Sequence, residues 1–211
     1  MRLFGRQWIK HMPNSYTYVD PDYIYTDSQT GVLRNIGNIA DNETLQFAEA
    51  GATARRSQEL WINPIQITSS ETLFSIHHYL FQDIYEWAGQ KRKVEISKGG
   101  KQFFPLYLFN TALSYIDELI AEYKRLESHH KKLLSRKLAE ILDSVNYLHP
   151  FREGNGRTQR EFLRLLALEK GWKLNLNPPD NVSVYERYME GTISGDIDLL
   201  DKLIFECLNQ E

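Results

Sequence analysis

Apolar residues recur at intervals of three and four along six stretches of this chain, and in one short stretch they alternate instead. Asp41 or Asn42 can cap a helix that carries Leu45, Phe47 and Ala48 toward Arg56. Thr68-Ser69-Ser70-Glu71 has capping-box spacing and opens a helix with Leu73, Ile76, Leu80 and Ile84 on one face, ending at Gly89. Two further stripes follow: Leu108, Ala112, Ile116, Leu119 and Tyr123, then Leu134, Leu138, Ile141, Val145 and Leu148, with His149 at the end of the second. Phe162, Leu165 and Leu166 run to Gly171, a plausible helix stop, and Ile197, Leu200, Leu203, Ile204 and Leu208 mark a last helix. Between Lys91 and Phe104, Val94 and Ile96 alternate with Lys93, Glu95 and Ser97, and Gly99-Gly100 can turn the chain, which predicts a β-hairpin. Tyr25 to Leu33 reads as a small turn between extended pieces, and residues 1–24, with Pro13 and Pro21, as an arm with no regular element. The expectation is a mostly α-helical single domain over residues 25–211, carrying one short hairpin.

Composition narrows the function classes. A chain of 211 residues with 42% apolar content is enough for one core and short for two. A net charge of −3 gives no general attraction to nucleic acid or an anionic membrane. No apolar run approaches membrane-spanning length, and Trp8-Ile9 sits among Arg6, Lys10 and His11 rather than in a secretory-signal core. The lone Cys207 forms no internal disulfide and fits a reducing compartment.

The chemistry is concentrated between His149 and Arg160. A histidine takes a proton near neutral pH, and a carboxylate four residues on, Glu153, suits a hard cation such as Mg²⁺. Gly154 and Gly156 let the backbone turn so that amides face an anion, and a helix starting there adds a field that favours phosphate. Arg157 and Arg160 are three apart, so both can grip phosphate oxygens from one helical face. Together these residue types describe phosphoryl or nucleotidyl transfer. A P-loop is disfavoured because no Gly-Lys-Ser/Thr ending is present.

The stretch from His149 to Arg160 matches the Fic signature, His-x-Phe-x-(Asp/Glu)-Gly-Asn-Gly-Arg-x-x-Arg, at every defined position. Tyr85-Glu86-Trp87-Ala88-Gly89 and the segment from Lys91 to Pro105 also resemble what precedes a Fic active site. The likeness runs from about Tyr25 to the C-terminus and is greatest to Fic domains of type IV secreted effectors and their toxin relatives.

That resemblance implies a helical Fic fold and transfer of AMP from MgATP to a Tyr, Thr or Ser hydroxyl of a target protein. His149 is then the general base and Glu153 the Mg²⁺ carboxylate. Gly154, Asn155, Gly156 and Arg157 stabilise the transferring group, Arg160 holds the γ-phosphate, and Phe151 anchors the loop. The hairpin becomes a flap that docks the target by strand addition through Val94, Ile96, Ser97, Gln102 and Phe103, with Lys98 and Gly99 beside the nucleotide. The workplace is a bacterial cytoplasm, or a host cytoplasm reached by secretion. The alternatives are transfer of UMP, phosphocholine or phosphate, and a strand-binding module without catalysis.

The remaining features take blander readings. Arg152, Arg164 and the Lys91-Arg92-Lys93 run read as surface charge, and Thr158 and Gln159 carry no role. His77-His78 and His129-His130, as helical neighbours, point apart and make no metal site. Many Fic proteins carry an inhibitory helix of pattern (Ser/Thr)-x-x-x-Glu-(Gly/Asn), whose glutamate pairs with the distal arginine. Thr44 and Glu49 are one residue too far apart and Ala50 follows, while Glu186 stands where Glu190-Gly191 needs a Ser or Thr. The expectation is therefore a chain active alone, or restrained by a separate small antitoxin-like partner with its glutamate against Arg160.

Overall fold

A computed structural model describes residues 16–18, 20, 23–98 and 101–210. In chain order its helices are α1 (Asn42–Ile62), α2 (Thr72–Phe81), α3 (Phe109–Arg125), α4 (Lys131–Leu148), α5 (Asn155–Leu168), α6 (Val182–Ser194) and α7 (Ile197–Cys207). The strands are β1 (Tyr16–Tyr18), β2 (Ile96–Lys98), β3 (Lys101–Gln102), β4 (Trp172–Lys173) and β5 (Asn209–Gln210). Among the described residues no helix is long and apolar enough to cross a membrane.

Helix α4 is the axis of the molecule. Its stripe of Leu134, Leu138, Ile141, Val145 and Leu148 is buried, and α3, α5, α6 and α7 all pack on it. Helix α2 packs on α5, and α1 on α2. The end of α4 and the start of α5 therefore meet in the middle of the fold, and the signature lies between them. The β4–β5 pair fastens the chain's last strand beside the end of α5.

Several elements depart from expectation. Asp41 caps α1, its carboxylate accepting from Thr44 N at 2.7 Å. The inward face of α1 is partly polar, however: Glu49 and Thr53 are buried while Phe47 is 84% exposed. Helix α2 starts at Thr72 without the capping box; Ser70 N donates to Asp117 instead, and Thr72 Oγ1 accepts from Thr68 N at 3.2 Å. It also stops at Phe81 rather than running to Gly89, and turns cover most of the interval. Gly89 N donates to the ring of His77 at 2.8 Å, whereas twelve residues of continuous helix would hold the two about 18 Å apart.

The hairpin, β2 and β3, is part of a three-stranded antiparallel sheet in the order β1-β2-β3, with β2 at its centre. β1 belongs to the arm expected to be irregular, yet it pairs along β2 with Tyr16 opposite Lys98, Thr17 opposite Ser97 and Tyr18 opposite Ile96. Nearby, Asp20 accepts from the amides of Ile24 at 2.8 Å and Tyr25 at 2.9 Å, tying the arm to the domain.

Candidate active site

His149 follows the last residue of α4 and adopts φ 46°, ψ 62°, in the left-handed region that few non-glycine residues enter. Its amide still completes the helix by donating to Val145 O at 3.1 Å. Pro150 disfavours right-handed helical geometry at the preceding residue, so the chain turns there and presents the imidazole at a helix end. The ring stacks on Phe103 with centroids 3.8 Å apart and 16° between planes. Nδ1 lies 3.2 Å from Asn146 O. A carbonyl only accepts, so this bond puts the proton on Nδ1 and leaves the lone pair of a general base on Nε2.

The turn after His149 is braced from within. Asn155 Oδ1 accepts from Phe151 N at 3.0 Å and its Nδ2 donates to Phe151 O at 2.8 Å. Both ends of this buried amide are thus used on the loop, so Asn155 shapes the cradle rather than presenting its side chain to a transferring group. Gly154 caps α5 at φ 79°, and any Cβ there would collide with the Phe81 ring. Its carbonyl accepts from Thr158 N and from Thr158 Oγ1, at 3.1 and 3.0 Å. That bond from Thr158 is the first within α5, and the amides of Asn155, Gly156 and Arg157 precede it at the helix's positive end, as an anion site requires.

Three acidic and basic side chains border this cradle. Glu153 is half-buried, with Oε1 accepting from Gly154 N at 2.9 Å and lying 3.9 Å from Arg157 Nη2. Arg157 lays its guanidinium over Phe81, 4.7 Å from the ring centroid, and donates through Nη2 to Glu49 of α1. Arg160 spreads over the rings of Tyr185 and Tyr188, at 5.4 and 5.3 Å, and among the described residues pairs with no carboxylate. Glu190 is exposed. Glu49, the glutamate of the near-miss inhibitory pattern, meets Arg157 rather than Arg160.

Sequence reading missed the residues beneath the loop. His77 is fully buried and stacked between Phe81 and Phe151, at 4.6 and 3.8 Å. Its Nδ1 accepts from Gly89 N, so Nε2 carries the proton and donates to Glu153 O at 3.0 Å. Desolvation drops its pKa to about 3, so the ring stays neutral. Phe151 is the buried anchor it was expected to be.

Arg92, expected on the surface, is 2% exposed. It donates to the carbonyls of His149 at 2.9 Å, Val94 at 2.7 Å and Phe104 at 2.5 Å, and its Nη1 reaches Glu95 at 3.1 Å. Its own amide donates to Pro150 O at 2.8 Å. Burial lowers its pKa, opposed by Glu95. Arg152 and Arg164 are buried as well; Arg164 pairs with Glu161 at 2.6 Å and donates to Leu60 O. Thr158 braces Gly154, and Gln159 donates to the Tyr188 hydroxyl.

The flap residues divide. Val94 and Ile96 are buried in the core, Ser97 and Phe103 are half-buried and Gln102 is exposed. Two of the five residues expected to dock a target thus face inward. Lys98 is the last residue of β2, and Gly99 lies outside the described residues. His129 and His130 lie in the turn before α4 rather than in a helix, and with Glu127 they form an exposed group of metal-capable side chains away from the signature.

This geometry has counterparts. The Fic/DOC family model matches residues 67–167. The protein adenylyltransferase VbhT of Bartonella schoenbuchensis is 33% identical over 187 residues, which are 88% of this chain and 39% of that relative. A probable protein adenylyltransferase, y4lH of Sinorhizobium fredii, is 36% identical over 148 residues, 69% of this chain and 76% of its own length. The chain belongs to the Fic/DOC family. Its fold is that of the N-terminal Fic domain of a Bartonella quintana effector solved with bound ADP, at TM-score 0.78 and 22% identity, covering 89% of this chain and 95% of that one. The chain thus spans less than half of VbhT, while matching most of the length of y4lH.

Proposed function

We propose that this Fic-family chain transfers AMP from ATP to a Tyr, Thr or Ser hydroxyl of a protein. The observation that carries the proposal is the pairing of a base with an anion cradle. His149 keeps Nε2 as an acceptor because Asn146 O holds Nδ1, and the amide cradle of α5 opens a few residues away. Nε2 takes the proton of the target hydroxyl as its oxygen bonds to the α-phosphorus. The bond from that phosphorus to the bridging oxygen breaks, and pyrophosphate leaves with the electron pair. The cradle amides and Arg157 offset charge on the transferring group, and Arg160, free of carboxylates among the described residues, takes the γ-phosphate. Glu153 offers the carboxylate oxygen donor that Mg²⁺ prefers and would hold the ion. Bound there, Mg²⁺ supplies charge neutralisation on the phosphates.

Target docking falls to main chain on the flap. One edge of β2 carries β1 and the other carries β3, so β3 is the open edge on the side that leads to Phe103 and His149. A strand added there is read through backbone bonds and tolerates varied sequence. A small helical inhibitor that places a glutamate on Arg160 would compete with the γ-phosphate. Both roles suit a protein working in a cytoplasm, the bacterium's own or a host's. Mass spectrometry of the purified protein with MgATP and a lysate tests the activity. The expected result is one added adenylyl group on a protein, absent with His149→Ala; a different added mass, or none, overturns the proposal.

A further inference from the structure

We infer that Glu49 is a positioning residue for the proposed AMP transfer, fixing the pose in which Arg157 meets the transferring group; this rests on the activity proposed above. A carboxylate inside a helix–helix contact is costly unless both its oxygens are satisfied. Glu49 meets that condition through two partners from different elements. One oxygen accepts from Arg157 Nη2, and the other from the Tyr85 hydroxyl. Tyr85 is 2% exposed and stacked on Trp87 at 4.2 Å, and its hydroxyl is held protonated by burial and by Glu49 itself. The carboxylate therefore cannot swing away, and it holds the arginine in turn.

The guanidinium has three constraints. Its flat face rests on Phe81, Nη2 is taken by Glu49, and the same nitrogen stands 3.9 Å from the Glu153 oxygen that caps Gly154 N. The last contact places it beside the mouth of the amide cradle. Nε and Nη1 have no protein partner among the described residues, and the side chain is 32% exposed. Glu49 thus uses one donor and leaves the others for a ligand. An arginine fork recognises a phosphoryl group only in the right plane, and an untethered arginine loses more rotamer freedom on binding. Competition with phosphate is the opposite reading, but it needs a carboxylate that occupies the open donors, and Glu49 approaches from the buried side.

Glu49→Gln keeps the shape and removes the charge. Loss of a charge-assisted hydrogen bond that orients a transition-state donor predicts a fall in kcat of roughly tenfold, with KM for ATP within about twofold of wild type. Tyr85→Phe, which spares the ion pair, lowers kcat in the same direction by about threefold or less. In an Arg157→Gln background the Glu49 change adds nothing, because it acts through that side chain. A rise in kcat for Glu49→Gln, or an undiminished loss in the Arg157→Gln background, overturns the inference. If wild type transfers no AMP, the activity proposal fails and the pose is read by NMR. Arg157 Nε–H is expected to be ordered in wild type and motionally averaged in Glu49→Gln, and equal order in both overturns the inference.

Discussion

The loop between Pro150 and Thr158 and the flap face each other across the His149 ring, and they are held by different means. The loop is fixed by side chains that reach its own carbonyls and amides: Asn155 on Phe151, Thr158 on Gly154, and His77 on Glu153. Aromatic plates lie under it, and a Cβ on Gly154 would strike one of them. Strand β2 of the flap instead hangs on a backbone ladder, three residue pairs to β1 and two to β3. Chemistry needs atoms held to a fraction of an ångström, so that side is over-determined. Recognition by strand addition needs only an available edge, so that side is short and sparse.

The largest expected effect comes from removing the group that both regions share. His149→Ala should slow transfer by about 10²–10⁴-fold while ATP affinity by calorimetry stays close to wild type. Equal rates would show that the base lies elsewhere. Next, Arg92→Met should join the two failures, because it strips partners from carbonyls of the loop and of the flap together. Unsatisfied buried acceptors predict a stability loss of about 3 kcal/mol in urea unfolding, along with lost transfer. A stable Arg92→Met protein would separate the regions.

A third test reaches the loop alone. The folded pKa of His77, about 3, lies below its ordinary value of 6.5. The unfolded chain therefore binds a proton that the folded chain excludes. This stability is present in full above pH 6.5 and is lost as pH falls toward 3. Between pH 7 and pH 5 the loss should be about 2 kcal/mol, and His77→Gln should flatten that part of the profile. An unchanged slope would mean that the loop rests on other supports.

The smallest effect should fall on the flap. Phe103 N donates to Ile96 O, so by the alternation of an antiparallel ladder the amide of Gln102 points to the open edge. Gln102→Pro should reduce kcat/KM for a protein target by about three- to tenfold, the worth of one main-chain hydrogen bond, and leave KM for ATP unchanged. If ATP affinity falls equally, the flap is a nucleotide clamp.

Where one side chain's period decides the outcome, the sequence was readable. The stripe of α4 is buried as predicted, that of α7 is buried from Leu200 to Leu208 with Ile197 half-buried, and the signature forms a turn between two helices. Reading failed where a polar residue is buried by partners distant in sequence. Arg92 looked solvated because its acceptors are backbone carbonyls, which no residue type announces. Glu49 failed the inhibitory pattern by one residue, and its partners Tyr85 and Arg157 are 36 and 108 residues away. Helix α6 drew no expectation because Gly191 interrupts a mixed sequence, yet a Cβ at that glycine would collide with Leu200 of α7. Its Tyr185 and Tyr188 supply the rings beneath Arg160.

Mechanically, the guanidinium of Arg92 acts as a rivet. It fastens the flap's ascending root at Val94 and its descending root at Phe104 to the same carbonyl that terminates α4. Swinging the flap as a rigid lid would shear three charge-assisted bonds at once and drag the imidazole with it. Both roots of the flap are thus fixed to the turn that carries the base. A guest strand of awkward shape must therefore adapt to the flap rather than push its roots aside, and the base beneath keeps its aim.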